Sequence, residues 1–350
     1  MISLVVVSYR SGPAAIEAIR TFRDAASEEA EVVVVVNSGD EDEAALLRAS
    51  ADRVILAERN LGYAGGLNRG AGAAAGDLLL LSNPDLVFRA GSVAPLAASA
   101  REGFIAAGPA FFLDEAETLH LPPFEEPSLR ALTRRVLACD PSKADALFGR
   151  DARRSVRNVL AMERDEIVPA TALSGGLVAV TRETLRRVGP FDEGFPLYFE
   201  ENDWQRRLRV LGGRLRRVGA SRVIHSFGQS TRTEPRASEW FARSERRFYT
   251  LHFGRAGAEA LDLALAAEEK ETRAELPSLE KGVFHVDSPV TGRVAVAASP
   301  NRSFRPHALA LLPEGSREWH GASGRIAGWH ARAFDAKTGR ILLEGTLPTS

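Results

Sequence analysis

Two short runs of the chain are apolar at every position, and they limit the folds open to it more than any other feature. Residues 32–36 are five valines and residues 78–81 are four leucines. Strands that are buried on both faces have this composition, because both sets of alternating side chains then face apolar layers. The two runs therefore predict central strands of a sheet that helices cover on both sides.

Strand and helix signals alternate around these runs. Residues 3–8 and 54–57 are strand-like, whereas residues 14–26, 42–50 and 67–75 have helical patterns. Alternation of this kind is typical of βαβ units, whose strands are parallel. We expect an α/β fold, a Rossmann-like αβα sandwich with a mostly parallel central sheet.

The pattern changes twice further along the chain. Residues 119–169 are rich in proline and arginine and predict either an insertion over the open edge of the site or a surface excursion without a chemical role, within a main domain of residues 1–265. A charged linker follows at 266–276. Residues 277–350 predict a small β-rich accessory domain. Its β-like runs are residues 293–298, 307–312, 329–334 and 341–347.

Composition excludes several functional classes. The net charge is −1, which gives no indication of nucleic-acid binding. The single cysteine, Cys139, cannot form an internal disulfide, and no apolar stretch reaches the ~18 residues that span a bilayer. The first residues show no signal-peptide pattern. We expect a cytoplasmic protein that could contact the inner face of a membrane peripherally.

Polar residues follow the apolar runs. Asp85 comes just after the leucine run, His225 ends the short apolar run 223–225, and three acids open a predicted helix. Those acids are Glu200, Glu201 and Asp203. Such groups could hold Mg²⁺ or Mn²⁺ beside a general base. Taken singly, each also has a structural explanation: a turn, a satisfied histidine and acids that offset a helix dipole.

Six motifs in order identify a resemblance. They are VVVSYRSG (5–12), NLGYAGGLNRG (60–70), GDLLLLSNPD (76–85), LSGGLVAVTRETLRRVGPFDEGF (173–195), YFEENDWQRRLRVLG (198–212) and HSFGQS (225–230). Together they resemble the family 2 inverting glycosyltransferases of the GT-A fold, and most closely the bacterial rhamnosyltransferase-like branch. The resemblance covers about the first 255 residues and leaves out the C-terminal ~70.

The resemblance implies chemical roles for these residues. Glu201 lies where the family places its catalytic base, and Glu200 and Asp203 would orient it, bind the acceptor or cap the helix. Asp85 and His225 would hold Mn²⁺ or Mg²⁺. Asn83 stands where the family's metal motif has its first acid.

The same resemblance implies a nucleotide-sugar pocket. Its residues would be Ser8, Tyr9, Asn37, Asn60, Gly65, Gly66, Asn68 and Asn83. Val36 replaces the acid with which relatives read the base, and Asn37 or Asp40 could substitute for it. A dinucleotide fold is disfavoured, because the glycine spacing at 62–66 is G-x-x-G-G and follows the third predicted strand.

The implied function is sugar transfer, with inversion, from a nucleotide-diphospho donor to a glycan or lipid-linked acceptor in cell-surface polysaccharide synthesis. The expected donor is dTDP-rhamnose or a UDP-sugar, and the chain could form a homodimer. One alternative is a noncatalytic sugar- or nucleotide-binding protein on a GT-A shell, since Val36, Asn83 and Glu201 depart from the commonest pattern. A sugar nucleotidyltransferase is a second alternative, although the SYRSGPAA loop lacks the glycine-rich basic pattern of that class.

Two further patterns each have a structural and a functional interpretation. The basic run 206–217 could bind phosphate or a lipid headgroup, or it could be a solvated face opposite an inward stripe of Leu208, Val210 and Leu211. Trp319 and Trp329 could stack on a sugar, but core packing is the favoured interpretation.

Overall fold

The computed structural model describes residues 1–122, 124–226, 236–270, 276, 283–300, 304, 307–320, 326 and 328–348. These divide into two compact units. Unit 1 comprises Met1–Phe111, Phe124–Glu126 and Arg164–Gly254, and unit 2 comprises Phe112–Pro123, Pro127–Glu163 and Arg255–Ser350. The helices of the predicted insertion thus belong with the C-terminal strands. The predicted domain boundaries stay predictions, and part of the linker, like Gly228 and Ser230 of the last motif, lies outside the described residues.

The strands and helices have the following bounds. The strands are β1 Ile2–Ser8, β2 Ala30–Val36, β3 Arg53–Leu56, β4 Leu78–Ser82, β5 Leu86–Phe88, β6 Ile105–Phe112, β7 Leu119–His120, β8 Ile167–Ala170, β9 Leu177–Thr181, β10 Arg214–His225, β11 Val283–His285, β12 Val294–Ser299, β13 Ala308–Leu311, β14 Glu318–His320, β15 His330–Asp335 and β16 Ile341–Thr346. The helices are α1 Gly12–Ala25, α2 Glu41–Leu47, α3 Gly62–Ala73, α4 Val93–Arg101, α5 Leu129–Ala138, α6 Pro141–Glu163, α7 Arg182–Val188, α8 Glu200–Val210 and α9 Ala237–Glu269, the last interrupted at Gly254.

The sheet of unit 1 confirms the predicted α/β architecture. Its central strands run β4-β1-β2-β3 and are all parallel. β9 pairs antiparallel with both β4 and β6, and β10 pairs antiparallel with β5 and β8. The sheet is therefore mixed but mostly parallel at its centre. The carboxyl ends of β1, β2 and β4 lie at one edge, so the residues that follow these strands are brought together.

The two apolar runs lie at the centre of this sheet, as predicted. Every residue of β1 and β4 is buried, as are the five valines of β2. Helix α3 packs closely on β1 because Gly66 has no side chain: a Cβ there would lie 2.6 Å from a methyl carbon of Val7. Arg182 holds the other end of α3, donating hydrogen bonds to the carbonyls of Ala71, Ala74 and Gly76. These contacts hold α3 against β1 and fix its C-terminal end.

Unit 2 has an antiparallel sheet in the order β7-β13-β12-β15-β16. Its apolar core joins α6 to the C-terminal strands: the ring of Phe148 lies 5.6 Å from that of Phe304 and 5.5 Å from that of Phe334. Gly149 and Gly339 meet backbone to backbone, so that a Cβ on Gly149 would lie 2.8 Å from the Gly339 carbonyl oxygen. The predicted C-terminal β region therefore shares its core with the predicted insertion. Among the described helices, none combines the length and the apolar character needed to cross a membrane.

Candidate active site

The loop after β1 is organised by an acid that the sequence analysis did not single out. Glu43 on α2 is buried and accepts hydrogen bonds from the hydroxyls of Ser8 and Ser38, both at 2.6 Å. It also accepts the backbone N–H groups of Arg10, at 3.0 Å, and Ser11, at 2.8 Å. Ser8 is thus oriented by Glu43. In the sequence this glutamate is one of several acids in the run 40–43, which hides its separate role.

Asn37, at the end of β2, forms hydrogen bonds to the loop that connects β3 to α3. Its amide nitrogen donates to Asn60 Oδ1 and to the carbonyl of Gly62, both at 3.0 Å, and its oxygen accepts the N–H of Leu61 at 2.9 Å. Asp40 instead caps α2, accepting the backbone N–H of Asp42 at 2.9 Å. Both residues suggested as substitutes for the missing base-reading acid are therefore engaged with backbone groups.

The remaining predicted pocket residues lie around the start of α3. A Cβ on Gly65 would lie 2.9 Å from that of Leu61, so the absence of a side chain at this position serves local packing, as it does at Gly66. Asn68 exchanges hydrogen bonds with the backbone of Phe191, at 2.9 and 3.0 Å, and so ties α3 to the loop before the acidic helix. Tyr9 is partly buried beside the guanidinium of Arg10, 5.5 Å from its ring centre.

Asp85, His225 and Asn83 do come together. Nε2 of His225 lies 3.4 Å from Asp85 Oδ1 and 3.4 Å from the side-chain nitrogen of Asn83. Asp85 and His225 are both buried. Asp85 Oδ1 is enclosed without a hydrogen-bond partner among the described residues. A buried carboxylate oxygen in that condition is costly unless a cation reaches it.

The donor set fits a divalent cation that takes its other ligands from elsewhere. Two ligands of one octahedral cation lie roughly 3 Å apart, comparable with the Asp85–His225 separation. Within the part of the chain that the structure describes, no group of three or more histidine, cysteine, aspartate or glutamate side chains is placed to hold a metal. The described residues therefore offer a partial shell here, which phosphate oxygens and water would have to complete.

A Gly-Gly turn links this pair to the acids of α8. The carbonyl of Gly176 accepts the N–H of Asn83 at 2.8 Å, and a Cβ on Gly176 would lie 2.9 Å from the ring of His225. On the other side, a Cβ on Gly175 would lie 3.2 Å from the carboxyl carbon of Glu201. A side chain at position 175 would press on Glu201 and one at position 176 on His225, so the spacing between these two residues depends on the glycines. The sequence signal was the Ser-Gly-Gly at the start of β9, to which the sequence analysis gave no role.

Tyr63, on α3, also contacts the Gly175–Gly176 turn. Its hydroxyl donates a hydrogen bond to the carbonyl of Gly175 at 3.1 Å. Burial raises the pKa of the Tyr63 hydroxyl, and electrostatic interaction with the carboxyl groups of Glu200, Glu201 and Asp85 raises it further. The phenol therefore remains neutral and acts as a hydrogen-bond donor.

Helix α8 begins in a strained conformation. Tyr198 and Phe199 both have φ of 67°, a left-handed conformation that costs a residue with a large side chain about 1–3 kcal/mol. The Phe199 ring packs against Phe241 and Phe248, at 5.3 and 5.7 Å, and these contacts help to hold the turn. Strain of this kind is found where the surrounding structure fixes a functional geometry. Here it determines the direction in which Glu200 and Glu201 enter the site.

Glu200 and Glu201 form a coupled pair. Burial raises the pKa of Glu200 well above its usual range, and the charge of Glu201 and a hydrogen bond to it act in the same direction. Burial also raises the pKa of Glu201, while backbone hydrogen bonds and the bond from Glu200 lower it. The pKa of each carboxyl is thus raised by burial, and the hydrogen bond between them raises that of Glu200 and opposes the rise for Glu201. Glu201 is therefore the better candidate for accepting a proton.

Asp203 faces away from this pair. Its carboxylate accepts from Arg207 Nε at 2.8 Å and lies 2.9 Å from His252 Nε2. Burial lowers the pKa of His252, and Asp203 opposes this change. Of the three roles considered for Asp203, orientation of Glu201 has no contact to support it. The aspartate instead connects α8 to α9.

The basic run after the acids is largely engaged in ion pairs. Arg206 and Arg209 both reach Glu126, and Arg216 reaches Glu102. The predicted inward stripe was wrong at two of its three positions: Leu208 is buried, but Val210 and Leu211 are 79% and 45% exposed. Trp204, six residues before Val210, fills the core instead. Trp319 is also buried and packs against Phe284, in line with the core-packing interpretation.

The N-terminal part of the chain matches one protein family. Residues 3–154 match the family model described as "Glycosyl transferase family 2". This part of the chain resembles glycosyltransferase family 2. The match takes in Ser8, Asn37 and Asp85 but ends before Glu201 and His225, and it spans less than half of the 350 residues. No curated protein matches the chain.

Several solved structures are similar at low identity. GalNAc-T7 with UDP, GalNAc and Mn²⁺ is 16% identical with a TM-score of 0.46, covering 96% of this chain and 67% of that one. The mannosyltransferase PcManGT from Pyrobaculum calidifontis with GDP-Man and Mn²⁺ is 13% identical, TM-score 0.43, covering 78% and 76%. S. aureus TarS 1–349 is 14% identical, TM-score 0.43, covering 78% and 72%. The family 2 match and the mixed sheet together describe a GT-A-like α/β fold with extra C-terminal strands.

Proposed function

We propose that the chain is an inverting glycosyltransferase that moves a sugar from a nucleotide-diphospho donor to a glycan or lipid-linked acceptor. The observation that carries the proposal is the pair of carboxyl groups of Glu200 and Glu201, whose pKa values burial raises, across the Gly175–Gly176 turn from Asp85 and His225. A base on one side and a phosphate-side cluster on the other are what a single displacement requires. The family 2 match supports the same reaction class.

Glu201 is the general base in this proposal. Its ionised carboxylate accepts the proton of an acceptor hydroxyl as the hydroxyl oxygen forms a bond to the anomeric carbon. The bond from that carbon to the donor phosphate breaks at the same time, on the opposite face, so the configuration inverts. Glu200 keeps its proton and donates to Glu201, which keeps the pKa of the base from rising further.

Asp85 and His225 would hold Mn²⁺ or Mg²⁺, and Asn83 lies beside them. A bound cation of this kind stabilises charge on a leaving diphosphate. Tyr63 fixes the carbonyl of Gly175 and so preserves the spacing between the two halves of the site. Glu43 and Asn37 shape the loops after β1 and β2, where the nucleotide would bind.

The donor proposed first is dTDP-rhamnose, with a UDP-sugar as the next choice, and the pathway is cell-surface polysaccharide synthesis. This part rests on the resemblance of the sequence motifs alone, and the replacement of the base-reading acid by Val36 leaves the nucleotide to be identified by experiment. A panel of nucleotide sugars, scored by Mn²⁺-dependent thermal stabilisation and by slow donor hydrolysis, tests it. We expect one donor to stand out and chelator to abolish both signals.

Matched variants make the panel decisive. Asp85→Ala and His225→Ala should each remove the metal-dependent signal, and their double variant should be no worse than either, because they serve one cation. Donor binding that needs metal but leads to no hydrolysis or transfer with any acceptor would favour the noncatalytic sugar-binding alternative. Full donor affinity in chelator would contradict the metal proposal.

A further inference from the structure

The segment that leads into α8 is held by contacts with two other helices. Residues 191–197, here called the connector, form neither helix nor strand and are followed by the left-handed residues Tyr198 and Phe199. Two consecutive large residues in this conformation persist only where the surrounding structure holds them. Glu201 follows Phe199 after one further residue. The contacts of the connector therefore set the direction in which Glu201 enters the candidate site.

Helix α3 contacts the connector along successive turns. Gly62, Gly65 and Asn68 lie three residues apart and meet the connector in the reverse of its chain order. A Cβ on Gly62 would lie 2.9 Å from the carbonyl oxygen of Pro196, and a Cβ on Gly65 would lie 3.6 Å from the carboxyl carbon of Glu193. The absence of side chains at the two glycines lets the connector lie directly against the helix.

Asn68 holds the first residue of the connector. Its side-chain oxygen accepts the N–H of Phe191 at 2.9 Å, and its nitrogen donates to the carbonyl of Phe191 at 3.0 Å. The same nitrogen donates to Glu193 Oε1 at 2.9 Å. A side-chain amide can satisfy a backbone donor and a backbone acceptor together, which neither a carboxylate nor a hydrocarbon can do. All three hydrogen bonds that Asn68 forms with described residues thus go to the connector.

Helix α9 holds the same segment through Ser244 and Arg247. The hydroxyl of Ser244, which is fully buried, donates to the carbonyl of Leu197 at 2.8 Å. Arg247 donates to Asp192 at 2.6 Å. Its Nη2 lies where a side chain of Gly194 would be, 2.5 Å from the position of a Cβ there. The connector is therefore held at its first residue by α3 and at its last by α9.

The first residue of the connector also packs on α8 itself. The ring of Phe191 stacks on that of Trp204, with centroids 5.4 Å apart and an angle of 25° between the rings. Trp204 is 1% exposed and donates from Nε1 to the carbonyl of Gly189 at 3.0 Å. It lies three residues after Glu201, so the two occupy the same part of α8. A displacement of Phe191 therefore reaches Glu201 both along the chain and through Trp204.

We propose that Asn68 and Ser244 are positioning residues for the base: they hold the connector in the conformation that directs Glu201 toward the acceptor hydroxyl. The inference rests on the proposed function for the role of Glu201, but not for the link between Asn68 and α8. It differs from the role that the family resemblance implies for Asn68, which is contact with the nucleotide sugar. A positioning residue affects the turnover rate of the bound complex, whereas a donor ligand affects donor affinity.

Hydrolysis of dTDP-rhamnose, or of the UDP-sugar that replaces it in the panel, distinguishes the two roles. At saturating donor, Asn68→Ala should lower the turnover rate about 10- to 100-fold, because a misplacement of ~1 Å at a reacting group has an effect of that size. Donor affinity, measured by Mn²⁺-dependent calorimetry, should change by about twofold at most. A loss of donor affinity with the turnover rate preserved would overturn the proposal.

Ser244→Ala tests the other helix with a smaller change. It removes one hydroxyl and should lower the turnover rate about 2- to 10-fold, the usual value of one hydrogen bond, again without loss of donor affinity. Arg69→Ala on α3 and Ser238→Ala on α9 are the matched controls, because both residues are exposed on the same helices. Both controls should keep the wild-type rate. A wild-type rate in Ser244→Ala would remove Ser244 from the proposal.

A double variant tests whether Asn68 acts through Glu201. Once the base is absent, its position no longer matters, so adding Asn68→Ala to Glu201→Gln should lower the remaining rate little further. The single change in the wild-type background should retain its full effect. Equal factors in the two backgrounds would show that Asn68 acts independently of Glu201 and would overturn the proposal.

Hydrogen exchange followed by mass spectrometry tests the link without any turnover. Asn68→Ala should raise the exchange rate of amides 200–208 about 10-fold, while peptides from β1 and β4 exchange as in wild type. Arg69→Ala should change neither. Unchanged exchange at 200–208 would overturn the proposal. Faster exchange there in a protein that hydrolyses no donor would retain the link between Asn68 and α8 and remove the proposed function.

Discussion

Two buried aspartates, one in each unit, differ in how many hydrogen bonds their carboxylate oxygens accept. Asp335 of unit 2 accepts hydrogen bonds from the backbone of Thr291, Lys337 and Thr338 and from the Thr291 hydroxyl, at 2.6 to 3.0 Å. Asp85 of unit 1 is also buried, but its Oδ1 has no hydrogen-bond partner among the described residues, His225 Nε2 lying 3.4 Å away. Burial would raise the pKa of Asp335, but its hydrogen bonds outweigh that effect and lower it to about 2. Burial alone therefore does not mark a functional acid, and we infer that burial without a full set of partners is the signal to test.

The largest expected effect concerns the candidate site of unit 1, where Glu201, like Asp85, has a buried carboxylate oxygen without a hydrogen-bond partner among the described residues. Glu201→Gln keeps the shape of the side chain but cannot accept a proton, so sugar transfer should fall about 10²- to 10⁴-fold. Donor affinity, measured by Mn²⁺-dependent calorimetry, should stay near wild type. Asp335→Asn is the control and should leave the turnover rate unchanged. Transfer at the wild-type rate in Glu201→Gln would remove Glu201 as the base and make Glu200 the candidate.

The next effect tests whether unit 2 acts as a structural body. Phe148→Ala should lower the free energy of unfolding by about 3–5 kcal/mol, because it empties the centre of the core that Phe304 and Phe334 share. Urea unfolding measures this change, and Phe148→Leu should cost less. Metal-dependent donor binding should persist in both variants. Loss of donor binding from a protein with native circular dichroism would show that unit 2 takes part in the site.

The two aspartates themselves should respond in opposite directions. Asp335→Asn places an N–H₂ group against backbone N–H donors and should cost about 1–3 kcal/mol of stability. Asp85→Asn removes a buried charge without a full set of partners, so stability should stay equal or rise, while metal-dependent donor binding is lost. Thermal unfolding without metal compares the two variants. A fall in stability for Asp85→Asn as large as that for Asp335→Asn would remove the distinction.

The same contrast predicts a pH dependence. The pKa of Asp335 in the folded protein is about 2, below the 3.8 of an ordinary aspartate, so its contribution is fully present above pH ~4 and is lost as the pH falls toward 2. The shift corresponds to roughly 2 kcal/mol. Wild-type unfolding measured across this range should therefore lose more stability than Asp335→Asn does. Parallel curves for the two proteins would contradict the assignment.

The smallest effect concerns the shared proton. Glu200→Ala removes the hydrogen bond that lowers the pKa of Glu201, so the acid limb of the turnover profile should move to higher pH. Glu200→Gln keeps a donor and should leave the limb close to that of wild type. The pH dependence of the turnover rate distinguishes the two variants. An identical shift in both would mean that the Glu200 side chain acts through its charge or volume rather than through its donor.

Much of the fold could be predicted from local patterns. The apolar runs became the central strands β2 and β4, and the β-like run 329–334 differs by one residue at each end from β15, His330–Asp335. Side-chain alternation and apolar content are carried by neighbouring residues, so a short window reveals them. The partnership of α6 with the C-terminal strands could not be seen in this way. Phe148 gives no local sign that its partners are Phe304 and Phe334.

The candidate site was predictable to a similar extent. Strand ends and a helix start indicated Asp85, His225 and Glu201, and the structure places Asp85 beside His225. Glu43 was missed because an acid in a first helical turn has an ordinary explanation. The Gly175–Gly176 turn was missed because its function is to leave space, which depends on side chains distant in sequence. Contacts formed only by tertiary packing leave no periodic signal.

The two-segment construction of unit 2 has a consequence for the time at which the protein folds. On the ribosome α6 is complete long before β15 exists, since Phe334 is added roughly 190 residues after Phe148, about 10 to 40 s later at usual elongation rates. During that interval the apolar face of α6 lacks the C-terminal strands that cover it, although α5 already packs on the helix, and the parallel strands of unit 1 can already pair. Released chains truncated after Gly254 should therefore have a folded unit 1 and an exposed Phe148, and we expect chaperone binding and aggregation to begin at α6.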